Sequence, residues 1–140
     1  MIQTNYSVDV MPYEQKWVDG LNSGDVSAAD DVFTADAIIH INGNPQKDLT
    51  VTDFKQMVQA LLTAFPDLKF TIEDQFAFEN KVSTRWTATG THTASLGDLN
   101  ATGKRVNVDG IIIDYLENDK VSERWELWDQ MAMLQQLGVM

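Results

Sequence analysis

The chain has 140 residues, 44% hydrophobic and 22% charged, and 21 acidic against 10 basic side chains give it a formal net charge of −11. That balance repels a phosphate backbone, and no basic stripe or polybasic anchor interrupts it, so neither nucleic acid nor a membrane surface is an expected partner. Cysteine is absent, which excludes disulfides, thiolate zinc sites and cysteine nucleophiles; the length is enough for a core that buries roughly two thirds of the unfolded surface.

The opening residues, MIQTNYSVDVM, hold no basic residue and no apolar run, so a signal peptide is not expected. The longest apolar stretches, such as Gly110 to Ile113, fall far short of the roughly 20 residues of a membrane span. The expectation is a soluble, cytoplasmic protein with one domain over residues 1–140, since no linker or repeat divides it.

A first helix is predicted from Pro12, with Tyr13, Trp17 and Leu21 recurring every four positions. Asn22 to Asp25 is a turn, and Asp25 caps a short second helix carrying Val26, Ala29, Val32 and Phe33. The acids Asp30, Asp31 and Asp36 around it lack the spacing and central glycine of a calcium loop. Ala37 to Ile41 is a short strand ended by Asn42-Gly43-Asn44-Pro45. Thr50 and Asp53 form a capping box for a helix with Phe54, Met57, Val58, Leu61, Leu62 and Phe65 in period, stopped by Pro66.

Beyond Pro66 the period changes from about 3.6 to 2. Leu68-Phe70-Ile72 and Phe76-Phe78 alternate, and Glu79-Asn80-Lys81 turns the chain into the strand Val82 to His92. A loop through Gly97, Asn100 and Gly103 leads to the strand Arg105 to Glu117. Asn118-Asp119-Lys120 turns into the strand Val121 to Asp129, and a last helix spans Met131 to Leu137. Helices first and antiparallel strands afterwards make an α+β fold, a curved antiparallel sheet with the N-terminal helices on its concave face and a pocket at the open end.

The last strand, SERWELWDQ, leaves two readings open. Val121, Glu123, Trp125, Leu127 and Asp129 share one face; Ser122, Arg124, Glu126 and Trp128 share the other. Either the first face is buried and Arg124 and Glu126 are solvated, or both faces are covered, with helices on one and a second subunit on the other. In the second case Glu126 enters a pocket, where desolvation raises its pKa and Arg124 lowers it, as suits a general acid/base. His40 and His92 are the only histidines, and neither has a partner at metal-ligand spacing, so no metal is expected. The GxSxG, GxxxxGK[ST] and GxGxxG motifs are absent.

The segment Arg85 to Gly138 resembles the SnoaL-like polyketide cyclases, ester cyclases of the NTF2-like group, through its GTHT strand end, ATGK loop, NDK hairpin and RWELWDQ…LQQLG finish. The N-terminal WVDGLNSGDV and AFPDL match more loosely. The resemblance implies an NTF2-like α+β cone and a cofactor-independent aldol-type cyclisation or related isomerisation of a hydrophobic, carbonyl-bearing, polyketide-like molecule. It puts the family's acid/base aspartate at Glu126, a second family acid at Asp129, and a polar partner used by some members near Ile112. Asp129 reads better as a cap for the final helix. His92 or His40 is a candidate second polar group, and Phe54, Met57, Trp86 and Trp128 are candidates for the pocket wall beside Arg124. A homodimer through the face bearing Trp125 and Leu127 is expected. The alternatives are a small-ligand-binding domain without catalysis or, with less support, a ketosteroid-isomerase-like enzyme or an epoxide hydrolase; for the last, no Asp-Arg-Asp cluster is visible along the chain.

Overall fold

In a computed structural model, which describes residues 10–140, helix α1 (Pro12–Ser23) begins at the predicted proline and ends on Gly24, whose φ of 77° suits a residue without a Cβ. The segment 1–9, most of the stretch in which no signal peptide is expected, lies outside the described residues. A 3-10 turn (Val26–Ala28), capped by Asp25, leads into the single turn α2 (Ala29–Val32). Phe33, placed in the second helix by its spacing, instead opens β1 (Phe33–Ile41) and pairs with Val121. The polar run Thr34-Ala35-Asp36 conceals this first half of the strand, because burial there comes from tertiary pairing and leaves no local alternation.

Helix α3 (Val51–Ala64) carries the predicted capping box, Thr50 and Asp53 each accepting the other's backbone N–H at 3.1 Å. The strands β2 (Lys69–Phe78), β3 (Lys81–Thr91), β4 (Arg105–Glu117) and β5 (Lys120–Trp128) follow, then helix α4 (Gln130–Leu137). Asp129 caps α4 by accepting the Ala132 N–H at 2.9 Å.

All five strands form one sheet in the order β1-β5-β4-β3-β2. From β2 to β5 it is the expected antiparallel meander, but β1 lies parallel to β5 at the far edge. Connections that fold straight back make β2 to β5 antiparallel neighbours; β1 is separated from β2 by α3 and is free to dock on the opposite edge. Register shifts between Ile72 and Asp74, and between Tyr115 and Leu116, bend the sheet. Trp17 of α1, Phe33 of β1 and Phe54 of α3 meet ring to ring, with centroids 5.5–6.3 Å apart, and join the two helices to the concave face. Among the described residues, no helix is long and apolar enough to cross a membrane.

Candidate active site

The alternation of β5 resolves the two readings of SERWELWDQ. Trp125 and Leu127 are 48% and 64% exposed on the outer face, while Arg124, Glu126 and Trp128 line a cavity under the helices. The register fixes their neighbours: Arg124 lies between Asp114 on β4 and Ile39 on β1, Glu126 between Ile112 and Ile41, and Trp128 opposite Gly110.

The cavity holds about 110 Å³, several times the roughly 10–15 Å³ that one water requires. Trp17 and Leu21 of α1, Phe54, Met57, Val58 and Leu61 of α3, and Met133 of α4 form its roof. Phe70, Trp86, Ile112 and Trp128 are part of its floor, and Arg124 and Glu126 are its only charged lining residues among those described. Trp86 stacks on Phe70 at 4.7 Å and lies across Gly110. A Cβ at Gly110 would stand 2.5 Å from Trp86 Cζ2 and 2.7 Å from the Leu127 carbonyl oxygen, so only glycine leaves room for the indole.

Behind Glu126 lies a buried ionic cluster drawn from three elements. Arg124 donates from Nε to Asp114 Oδ1 at 2.7 Å, and from Nη2 to Asp114 Oδ2 at 2.9 Å and Glu14 Oε2 at 3.0 Å. Tyr13 donates its hydroxyl to Asp114 Oδ2 at 2.7 Å, and the guanidinium carbon stands 5.0 Å from the Phe33 ring centroid. Glu14, Asp114 and Arg124 are all fully buried. The Glu126 side chain is half-buried and its carboxyl makes no hydrogen bond to another described residue, while its backbone oxygen accepts from the Asn42 N–H at 3.2 Å.

These surroundings set the protonation of the site. Burial raises the pKa of Glu126 to about 7; Arg124 opposes the rise, and the charges of Glu14 and Asp114 add to it. Burial likewise lifts Glu14 to about 7 against the pull of Arg124. Tyr13 is driven far up, by burial first and then by Asp114 and Glu14, and stays neutral. Burial works against the charge on Arg124, but Asp114 and Glu14 outweigh it and hold its pKa above the ordinary value.

Of the residues singled out in the sequence, Phe54, Met57, Trp86, Ile112, Arg124, Glu126 and Trp128 come together at the cavity, and three others do not. His40 lies on the outer face, stacked on Trp125 at 3.8 Å, with Nε2 2.8 Å from Glu123 and Nδ1 3.1 Å from Asp48. Strand parity puts it there, since His40 falls between the inward residues Ile39 and Ile41. His92 is buried and stacks on Phe65 behind the lining; its Nδ1 accepts the Thr102 N–H at 3.2 Å. Asp129 is exposed and caps α4.

Sequence reasoning missed Tyr13, Glu14 and Asp114. Their signal was present but weak: Glu14 shares the helical face of Trp17, Val18 and Leu21, and Asp114 shares the parity of Ile112. A charge in register with an apolar stripe must find a partner. No Asp-Arg-Asp cluster was expected from the chain; the fold does assemble a Glu14–Arg124–Asp114 cluster, from residues 110 and 10 positions apart.

Over residues 13–137 the sequence matches the family model described as SnoaL-like polyketide cyclase. The chain belongs to the SnoaL-like family. No curated protein sequence matches it. Among solved structures it is similar to IdmH of Streptomyces antibioticus, described as a candidate polyketide cyclase, with 25% identity over 91% of this chain and 96% of that one and a TM-score of 0.80. It is also similar to AclR of Streptomyces galilaeus, a candidate hydroxylase, with 25% identity over 91% and 83% of the two chains and a TM-score of 0.81. A candidate polyketide cyclase of Acidithiobacillus ferrooxidans matches at 25% identity over 95% and 98%, with a TM-score of 0.79. The fold is thus the SnoaL-like, NTF2-like α+β cone.

Proposed function

We propose that this SnoaL-like protein is a cofactor-independent acid/base enzyme acting on a hydrophobic, carbonyl-bearing, polyketide-like small molecule. The observation that carries the reading is the unpaired carboxyl of Glu126 in an apolar cavity, with its pKa raised to about 7. A carboxyl poised near neutrality can take a proton and return it at one pH, as aldol-type closure demands. Glu126 removes a proton from a carbon next to a carbonyl. The enolate carbon then bonds to a second carbonyl carbon of the same molecule, and the resulting alkoxide recovers the proton from Glu126. If the enolate is instead reprotonated at another carbon, the product is an isomer. The aromatic floor of Phe70, Trp86 and Trp128 suits a planar, fused-ring ligand.

Ile112 favours a second reading, a domain that binds such a ligand without turning it over. It pairs directly with Glu126, at the place where the family resemblance implies a polar partner.

The test uses 1-tetralone, an aromatic ketone with acidic C–H bonds, in heavy water. The enzyme reading predicts wild-type-catalysed deuterium exchange next to the carbonyl. In Glu126→Gln the exchange should fall about 100-fold or more, with tetralone affinity kept within a few-fold. Binding without exchange in the wild type would establish the binding reading instead.

A further inference from the structure

We infer that Glu14 is a positioning residue of this site: by engaging the Arg124 guanidinium it leaves the Glu126 carboxyl unpaired and free to exchange protons. Arg124 and Glu126 are two residues apart on the same face of β5, a separation of about 7 Å between their Cα atoms. An arginine spans that distance easily, so an ion pair between them is the arrangement β5 alone would adopt. A glutamate locked in such a pair is a poor base.

The pair does not form because other acids hold the cation. Asp114 takes Nε and Nη2, Glu14 takes Nη2, and the face of the guanidinium packs over Phe33. Asp114 alone would neutralise the single positive charge. Glu14 is therefore a surplus carboxyl, fully buried, and a structural role alone gives no reason to keep it there. One of its oxygens, Oε1, is buried with no hydrogen-bond partner, as is Arg124 Nη1. The cluster is thus not closed on itself: Glu14 helps fix the guanidinium through Nη2 in an orientation where Nη1 meets no acceptor, and without Glu14 the group can pivot about Asp114 and present Nη1 to Glu126.

The titratable groups around Glu126 are few. Helix α1 brings Tyr13 and Glu14, β4 brings Asp114, and β5 brings Arg124; α3, α4 and β1 present only apolar side chains to the cavity, among them Met57, Met133 and Ile41. Burial raises Glu14 and Glu126 alike to about 7 and Arg124 opposes both, so protonation of either changes the charge felt by the other.

The inference rests on Glu126 being the acid/base group, and its test needs no turnover. The δ-carbons of ¹³C-glutamate-labelled protein are titrated by NMR in wild type, Glu14→Gln and Glu14→Asp. In Glu14→Gln the Glu126 midpoint should fall by about 1 unit or more, part of it from the loss of Glu14's own charge, and the ¹⁵N signals of the Arg124 guanidinium should move with the Glu126 titration, as a cation turning to the carboxylate requires. Glu14→Asp, which keeps the charge, should bring the midpoint most of the way back to its wild-type position. If Glu14 acts only as a nearby charge or a support of the fold, the Arg124 guanidinium signals stay unmoved through the Glu126 titration of Glu14→Gln, which overturns the inference. If Glu14→Gln does not fold, the wild type decides. Shared two-step titration of Glu14 and Glu126 supports the inference, and independent single steps contradict it. A wild-type Glu126 midpoint near 4.5 would instead defeat the acid/base reading itself.

Discussion

The proposed chemistry rests on Glu126, and the burial that suits the group to proton transfer also makes it destabilising. Its pKa is about 7 in the folded state against 4.5 for an unperturbed glutamate, so between those values the folded protein binds more protons than the unfolded one. The contribution of this group to stability is complete below pH 4.5 and is lost as pH rises through 7. At pH 8 the wild type holds a carboxylate in an apolar cavity. The cost is at most about 3 kcal/mol, since each tenfold change in proton affinity is worth about 1.4 kcal/mol, and contact of the half-buried side chain with water reduces it. Glu126→Gln should therefore raise Tm at pH 8 and leave it nearly unchanged at pH 4.5. Equal effects at both pH values in thermal melts would mean that Glu126 is not desolvated. This residue was legible in the sequence only through family register, since the strand's own alternation allowed either face to be buried. Glu14 was less legible still, because its partner Arg124 lies 110 residues away and no local pattern connects them.

At the scale of elements, the motifs that carried the resemblance are mostly structural. The GTHT strand end and the ATGK loop bond to one another, through Gly103 N–H to the His92 carbonyl at 2.8 Å and Thr102 N–H to His92 Nδ1 at 3.2 Å. The NDK hairpin turns on Asn118 and Asp119, both at positive φ. Such local devices are readable because each is complete within a few residues or one hairpin. The parallel placement of β1 was not readable, because it depends on which sheet edge remains open once the meander has formed. Gly110 on β4 belongs to the same non-local class, being small because Trp86 of β3 crosses it and the Leu127 carbonyl of β5 stands close. Gly110→Ala should destabilise the protein by roughly 1–3 kcal/mol through overpacking. It should also reduce tetralone affinity by displacing the indole from the cavity floor. Unchanged affinity in a titration of the folded variant would show that Trp86 is not part of the ligand surface.

At the scale of the whole molecule, the cavity accounts for one face of the sheet and leaves the other apolar as well. Ile111 pairs with Leu127 and Ile113 with Trp125 across β4 and β5, and Ile38 of β1 is exposed nearby. We propose that a second copy covers this face, which explains apolar residues on both parities of β5. Two chains of net charge −11 repel one another, so the dimer should tighten as salt screens them. Light scattering at tens of micromolar in roughly 0.5 M salt should give twice the chain mass, and the double substitution Trp125→Lys, Leu127→Lys should give the monomer. A monomeric wild type under those conditions contradicts the dimer.

The central claim is that the fold holds one unpaired carboxyl in an apolar cavity at a pKa suited to moving protons at neutral pH. The most direct measurement is the ¹³C titration of the Glu126 δ-carbon in ligand-free wild-type protein. A midpoint near 7 is the predicted result; a single step near the ordinary glutamate value of 4.5 would contradict the account.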